Sequence, residues 1–438
     1  MRKLLFMLTA VPIAMACNSS ENKVVGQTDT VKTEANQEVT LPAPNTEASK
    51  TKFSKVIGWP AGKTPVAPAG FTVTPYAIKI KSPRNIYIAP NGDILVALSN
   101  SERSAKETVE NTLTGKAKSE QGGKSANTVV LFRDTNNDGK PDVQSEFLIG
   151  LDQPYGLLII GDSFYVANTD GLWKYPYKTG DTRITGKGSK IMNLPAGGYN
   201  NHWTRNLIAN ADNSKIFITV GSGSNVGENG MENEKRRANI LEINPDGSGE
   251  TIFASGLRNP VGLAWAPGTN ALWTAVNERD GLGDDLVPDY ITSVKQGAFY
   301  GWPYSYYGQH EDPRMKGQSP ELVKKAIAPD VAVGSHTASL GLAFYKDSKF
   351  PAKYQGGAFI GQHGSWNRSA LSGYKVAFVP FKDGNKTGDL EDFLTGFIAD
   401  TEKGEVYGRP VGVAVAKDGA LMVADDVSNT VWRVAATK

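Results

Sequence analysis

Residues 83–99, PRNIYIAPNGDILVALS, decide how this chain is read. Two short β-branched, apolar runs flank Pro90-Asn91-Gly92-Asp93, and a turn of that composition between such runs is a β-hairpin signature. The pattern returns five more times: PYGLLIIGDSFYVANTDGLW from Pro154, RNLIANADNSKIFITVGSG from Arg205, RNPVGLAWAPGTNALWTAVNE from Arg258, SLGLAFYKDSKFPAKYQGGAFIGQHG from Ser339, and RPVGVAVAKDGALMVADD from Arg409. A single hairpin cannot bury its apolar face, so a repeat on this scale marks an array of packed units. Copies roughly 50–80 residues apart leave room for four strands each, the size of a propeller blade. The fold class read from the sequence is all-β: a six-bladed β-propeller with long loop insertions on the face that carries the site. Phe71-Thr-Val-Thr-Pro-Tyr alternates well enough to close the ring against the C-terminal Thr430-Val-Trp-Arg-Val run.

The chain outside the ring has a different composition. Arg2 and Lys3 precede a short apolar stretch that ends in small residues and Cys17, so residues 1–16 read as a signal peptide. Ile13-Ala14-Met15-Ala16-Cys17 resembles a lipobox, which implies lipidation of Cys17 and a lipid anchor to the membrane. Asn18 after it points to an exported lipoprotein of a Gram-negative outer membrane, facing the periplasm or the cell surface. Residues 17–55 are polar, with no aromatic before Phe53, and read as a disordered tether. Residues 56–438 would form the propeller. Cys17 is the only cysteine, which excludes an intrachain disulfide, a cysteine-held zinc or iron–sulfur site, and a covalently attached haem. Loss of Arg2 and Lys3 takes the formal charge from +2 to 0, and a neutral protein without basic runs argues against nucleic acid as a partner.

Three insertions stand out. Residues 101–125 are rich in Lys, Glu and Ser and read as a loop within the first blade. Residues 134–142, DTNNDGKPD, have the spacing of a calcium loop but Ser145 at the twelfth position, so an Asx-rich turn and a surface calcium both remain open. GAFYGWPYSYYG, from Gly297 to Gly308, is either the wall of a binding cleft or a plug of aromatic core.

Only four histidines exist, His202, His310, His336 and His363, and three of them stand at the edge of a repeat's leading strand. Arg258-Asn259, Arg279-Asp280, Arg368 and Arg409 hold comparable positions. Several guanidinium groups at one channel mouth would suit a polyanion gripped bidentately; the plainer alternative is pairing with Asp284, Asp285 and Asp425.

Asn201-His202-Trp203-Thr204-Arg205-Asn206-Leu207, Gly256-Leu-Arg-Asn-Pro-Val-Gly-Leu-Ala-Trp265, Gly283-Asp-Asp-Leu286, Phe299-Tyr-Gly-Trp-Pro-Tyr304 and Gly408-Arg-Pro410 resemble, in that order, the sorbosone/glucose dehydrogenase family. The resemblance runs from about Thr51 to the C-terminus. It implies a six-bladed quinoprotein oxidoreductase that uses pyrroloquinoline quinone and Ca2+ to oxidise a sugar-type hydroxyl or hemiacetal and passes electrons to an external acceptor. On the same basis His202 would be the general base, and Arg258 would both bind the cofactor and stabilise developing charge. Gln153, Arg205, Asn259, Arg368 and Arg409 would complete the cofactor site. Backbone carbonyls around Arg279 and Asp280 would hold the calcium. Two other readings are a metal-dependent lactonase propeller and a non-catalytic propeller that binds glycans or protein.

Overall fold

The computed structural model describes residues 28–46, 50–102, 105–120 and 124–437. Residues 1–16 and Cys17, read as a signal peptide and lipidation site, lie outside them. Among the described residues no helix is long and apolar enough to cross a membrane.

Six four-stranded antiparallel sheets account for most of the strand content. Their inner strands are Pro83–Ile88, Gly156–Ile160, Leu207–Ala209, Pro260–Trp265, Ser339–Phe344 and Pro410–Val415, each opening one of the six repeats. The inner strand of each sheet touches that of the next, and the sixth touches the first, so the ring is closed. The sixth blade is built from both ends of the ring: Phe71–Ile78 supplies its outer strand, pairing with Thr430–Ala436 as the alternation predicts.

The residue that follows the blade entry explains how the blades come so close. In the second, fourth, fifth and sixth blades it is Gly156, Gly262, Gly341 or Gly412. A Cβ at Gly341 would lie 2.2 Å from the Val411 carbonyl oxygen of the next blade, and one at Gly412 would lie 2.7 Å from the Arg84 carbonyl across the ring closure. Side chains there would force the blades apart. In the first and third blades the position holds Asn85 or Asn206, whose amide donates to the next blade's backbone at Tyr155 (3.0 Å) or Val261 (2.8 Å). Each of the six joints is therefore set either by a missing side chain or by a side-chain hydrogen bond. Tyr155, Val261, Leu340 and Val411 then meet as an apolar plug on the axis. It forms the floor on which a site can stand.

Two stretches differ from their sequence reading, and a third takes one of the two alternatives the sequence left open. In the stretch read as a tether, Asp29–Lys32 and Glu38–Leu41 pair as a hairpin. It buries Val31, Val39 and Leu41 in the core of the fourth blade, because three apolar residues at period 2 find a ready-made apolar face. In the first-blade insertion, residues Ala105–Thr114 form an α-helix followed by the 3₁₀ turn Lys116–Ser119, not a loop. The aromatic segment is core: Tyr300, Trp302, Tyr306 and Tyr307 are buried with the fourth blade. In residues 134–142 the Asp134 carboxylate accepts from the backbone amides of Asn137 and Gly139, so the loop has Asx-turn hydrogen bonds.

Candidate functional site

The blade entries and the insertions surround a cavity of about 810 Å³ on one end of the ring axis. Its lining includes Arg84, Gln153, His202, Arg258, Asn259, Asp280, His336, His363, Arg409 and Asp426, while the first-blade helix contributes one wall. Three of the four histidines thus reach one space; His310 instead sits by Asp29 of the N-terminal hairpin.

His202 is 8% exposed, and its Nδ1 lies 2.8 Å from the Ser222 carbonyl oxygen. A carbonyl only accepts, so Nδ1 carries the proton and Nε2 keeps its lone pair. Burial, with the nearby Arg258 charge, holds this imidazole well below the usual histidine range, so it is neutral at physiological pH. The loop beneath it is fixed by the buried Glu234 carboxylate, which accepts from Gly223 N and Ser224 N. Gly221 leaves the room that His202 and Asn259 fill: a Cβ there would lie 2.6 Å from the His202 Cβ.

Arg258 is 1% exposed, and its guanidinium donates to the carbonyls of Asn225 and Glu278, to the Asn225 side chain, and at 3.4 Å to Asp280. Arg409 is held by the carbonyls of Ser119, His363 and Gly364 and lies over the Tyr374 ring. Carbonyls orient a guanidinium without cancelling its charge, so Arg409 stays a net cation, and Arg258 has one long carboxylate contact.

His336 brings a further positive charge. Its Nδ1 faces Asp280 at 3.1 Å and its Nε2 faces the Gly283 carbonyl at 2.9 Å, so both nitrogens must donate. Burial opposes this charge, but the Asp280 carboxylate outweighs it and raises the histidine above its ordinary value. Asp426 receives Arg84 at 2.5 Å and His363 Nε2 at 2.9 Å. Burial, with Arg409 next, lowers His363 to about 4, while burial of the Asp426 carboxyl is outweighed by His363, Arg84 and Arg409 together, which hold it well below the usual carboxylate range. Around the imidazole the floor therefore carries Arg84, Arg258, His336 and Arg409 against Asp280 and Asp426, while Glu102, Glu107, Glu110, Glu120, Asp152 and Lys116 line the rest of the cavity. Asn259 Oδ1 and Arg84 Nε are buried there without a hydrogen-bond partner. A rigid, partly unsatisfied, cationic floor is suited to a planar polyanion.

Among the other sequence candidates, Gln153 and Asn259 line the cavity, whereas Arg205, Arg279 and Arg368 do not. Arg205 is turned inward beneath the floor, where it donates to the carbonyls of Pro195, His202 and Thr204. Arg279 is fully buried between Glu278 and Asp312. Arg368 reaches outward to Asp285, which is the plain pairing alternative. A position at a blade entry does not fix which way a long side chain turns, and local carboxylates and free carbonyls decided it. The carbonyl of Asp280, expected to ligate calcium, already accepts from Asn225 at 2.9 Å and Arg314 at 2.8 Å; the Asp280 carboxylate is what faces the cavity. The reading from sequence missed Arg84 and Asp426. The only signal for them was their place at the seam where the ring's two ends meet.

The fold is a closed six-bladed ring with a polar pit at one end, where a buried neutral imidazole stands beside Arg258 and Arg409 on the floor and Glu102, Glu107, Glu110, Glu120 and Asp152 line the pit with them. Residues 177–432 match the family model Glucose / Sorbosone dehydrogenase, and the chain belongs to that family. It is 33% identical over 245 residues to an uncharacterised protein of Borreliella burgdorferi, covering 55% of this chain and 62% of that one. It is 35% identical over 123 residues to the aldose sugar dehydrogenase YliI of Escherichia coli (strain K12), covering 27% and 30%. The chain thus spans less than two thirds of either relative. The holo pyranose dehydrogenase PQQ domain of Coprinopsis cinerea shares the fold, with a TM-score of 0.66 at 19% identity over 87% of this chain and all of that one.

Proposed function

We propose that this protein is a quinoprotein oxidoreductase that oxidises a sugar hydroxyl or hemiacetal, with pyrroloquinoline quinone held in the cavity. The observation that carries the reading is the neutral His202, its Nδ1 proton committed to Ser222, beside the cationic floor of Arg258 and Arg409. Family membership and the fold shared with a PQQ-binding domain support it.

The donors present fit that cofactor. Arg258, Arg409 and Arg84 would face its carboxylates and quinone oxygens, and Asn259, with an unpartnered buried oxygen, would take a donor from it. For calcium, the Asp280 carboxylate offers hard oxygens beside His202 and Arg258; it would hold the ion together with the quinone's oxygens in exchange for its contacts with His336 and Arg258. When bound, the quinone supplies the acceptor for two electrons and the hydrogen leaving the sugar carbon. His202 Nε2 would take the hydroxyl proton, and a hemiacetal would leave as a lactone. Arg258 would stabilise negative charge that develops beside it. Reoxidation requires an external electron acceptor, and an export signal with a lipid anchor at Cys17 would place the enzyme on the periplasmic or outer face of a membrane.

The test is reconstitution with the quinone and calcium, followed by dye reduction with glucose or another aldose. His202→Ala should keep quinone binding and lose roughly 10²–10⁴-fold in turnover, the usual contribution of a positioned base. Arg258→Ala should weaken both. Because the folded imidazole is held below its ordinary range, kcat/KM should stay flat through pH 6.5 and fall only in more acid solution, where protonation removes the base. An acid limb centred near pH 6.5, or full turnover in His202→Ala, would contradict the assignment.

A further inference from the structure

Among the described residues only two aromatic side chains are exposed, Tyr199 at 52% and Trp366 at 42%. Both line the cavity. They come from different blades: Tyr199 from the segment that enters the third, Trp366 from the connection between the second and third strands of the fifth.

Trp366 is held in place. Its carbonyl accepts from Lys52 N at 2.8 Å, and the neighbouring Asn367 ties the Lys50 carbonyl (3.2 Å) to the Gly281 amide (2.9 Å). One face of the indole stacks on Phe53, with ring centroids 5.8 Å apart and planes 6° from parallel. With the indole stacked on Phe53, two fifths of the residue is still exposed, and both rings line the cavity. Exposure also orders the lining by depth, with Arg258 and His202 at the inner end and the two aromatics at the mouth.

An immobilised aromatic surface at the mouth of a polar cavity indicates a ligand with an apolar face. A pyranose ring has one: its axial C–H groups form a flat apolar patch, while its hydroxyls lie around the edge, where Asn111, Asn200, Asn201 and Asp152 line the same cavity. The ring undergoing oxidation must reach His202 at the inner end, so the aromatics at the mouth are placed for the next ring outward.

We propose that Trp366, with Tyr199, forms an outer subsite that stacks a second sugar ring, so that the protein favours oligosaccharides bound by their reducing end. The proposal rests on the oxidoreductase reading for the chemistry at the inner end, but not for the stacking surface itself. Two experiments separate them. In dye reduction, the wild type should show a higher kcat/KM for cellobiose or maltose than for glucose. Trp366→Ala should cut that ratio by roughly tenfold, the size of one aromatic contact, through KM. Trp366→Phe should restore most of it, with quinone titration unchanged in both variants. Equal ratios in wild type and Trp366→Ala would overturn the subsite; weaker quinone binding in Trp366→Ala would overturn it too, assigning the ring to the cofactor. In the second experiment, cellobiose is titrated into quinone-free protein and indole fluorescence is followed. A saturable change that Trp366→Phe lacks supports the subsite even if no sugar is oxidised, and its absence overturns it.

Discussion

Arg205 and Arg258 are both fully buried arginines at blade entries, yet one belongs to the scaffold and the other to the site. The difference lies in their acceptors. Arg205 meets three backbone carbonyls and Asn200 beneath the floor, so removing it would strand several buried acceptors at once. At about 1–3 kcal/mol for a stranded buried group, Arg205→Ala should lower the thermal midpoint by well over 5 °C, while quinone affinity measured below that midpoint stays close to wild type. A selective loss of quinone affinity without loss of stability would return Arg205 to the binding site. Residue type and position at the blade entry sufficed to bring His202, Arg258, Asn259 and Arg409 to the cavity, because the ring gathers the entries at one end. They did not suffice for Arg205, Arg279 and Arg368, because the direction of a long side chain depends on partners distant in sequence, such as Asp312 for Arg279.

At the scale of elements, the hairpins were legible because each carries its own turn chemistry and apolar alternation within about 20 residues. Elements that lean on another part of the chain were not. The strands Asp29–Lys32 and Glu38–Leu41 are too short and polar to announce themselves, and their stability comes from the fourth blade they cover. The helix Ala105–Thr114 has a weak apolar face and gains its place as a wall of the cavity. Leu41→Asp should undock the N-terminal hairpin, since a charge would enter the apolar face that Leu41 fills. Limited proteolysis should then cut within residues 28–46 and leave the rest of the ring resistant. A variant as resistant as wild type there would show that the hairpin is not held by this contact.

Across the whole molecule, closure and function share one cause. Glycine or asparagine near the start of each inner strand draws neighbouring strands together, and the entries that pack so closely bring His202, Arg258, Asn259 and Arg409 to a common end. The axial plug of Tyr155, Val261, Leu340 and Val411 keeps that end a pit and not a through-channel. The closing pair, Phe71–Ile78 on Thr430–Ala436, sets the sixth blade against the first, and that seam places Arg84 next to Asp426. The most direct measurement of the central claim is a crystal structure of the protein soaked with pyrroloquinoline quinone and calcium. The account predicts the quinone in the 810 Å³ cavity, its carboxylates against Arg258 and Arg409 and its reactive carbonyl on the His202 side. A quinone bound elsewhere, or a cavity that stays empty at saturating quinone, would contradict it.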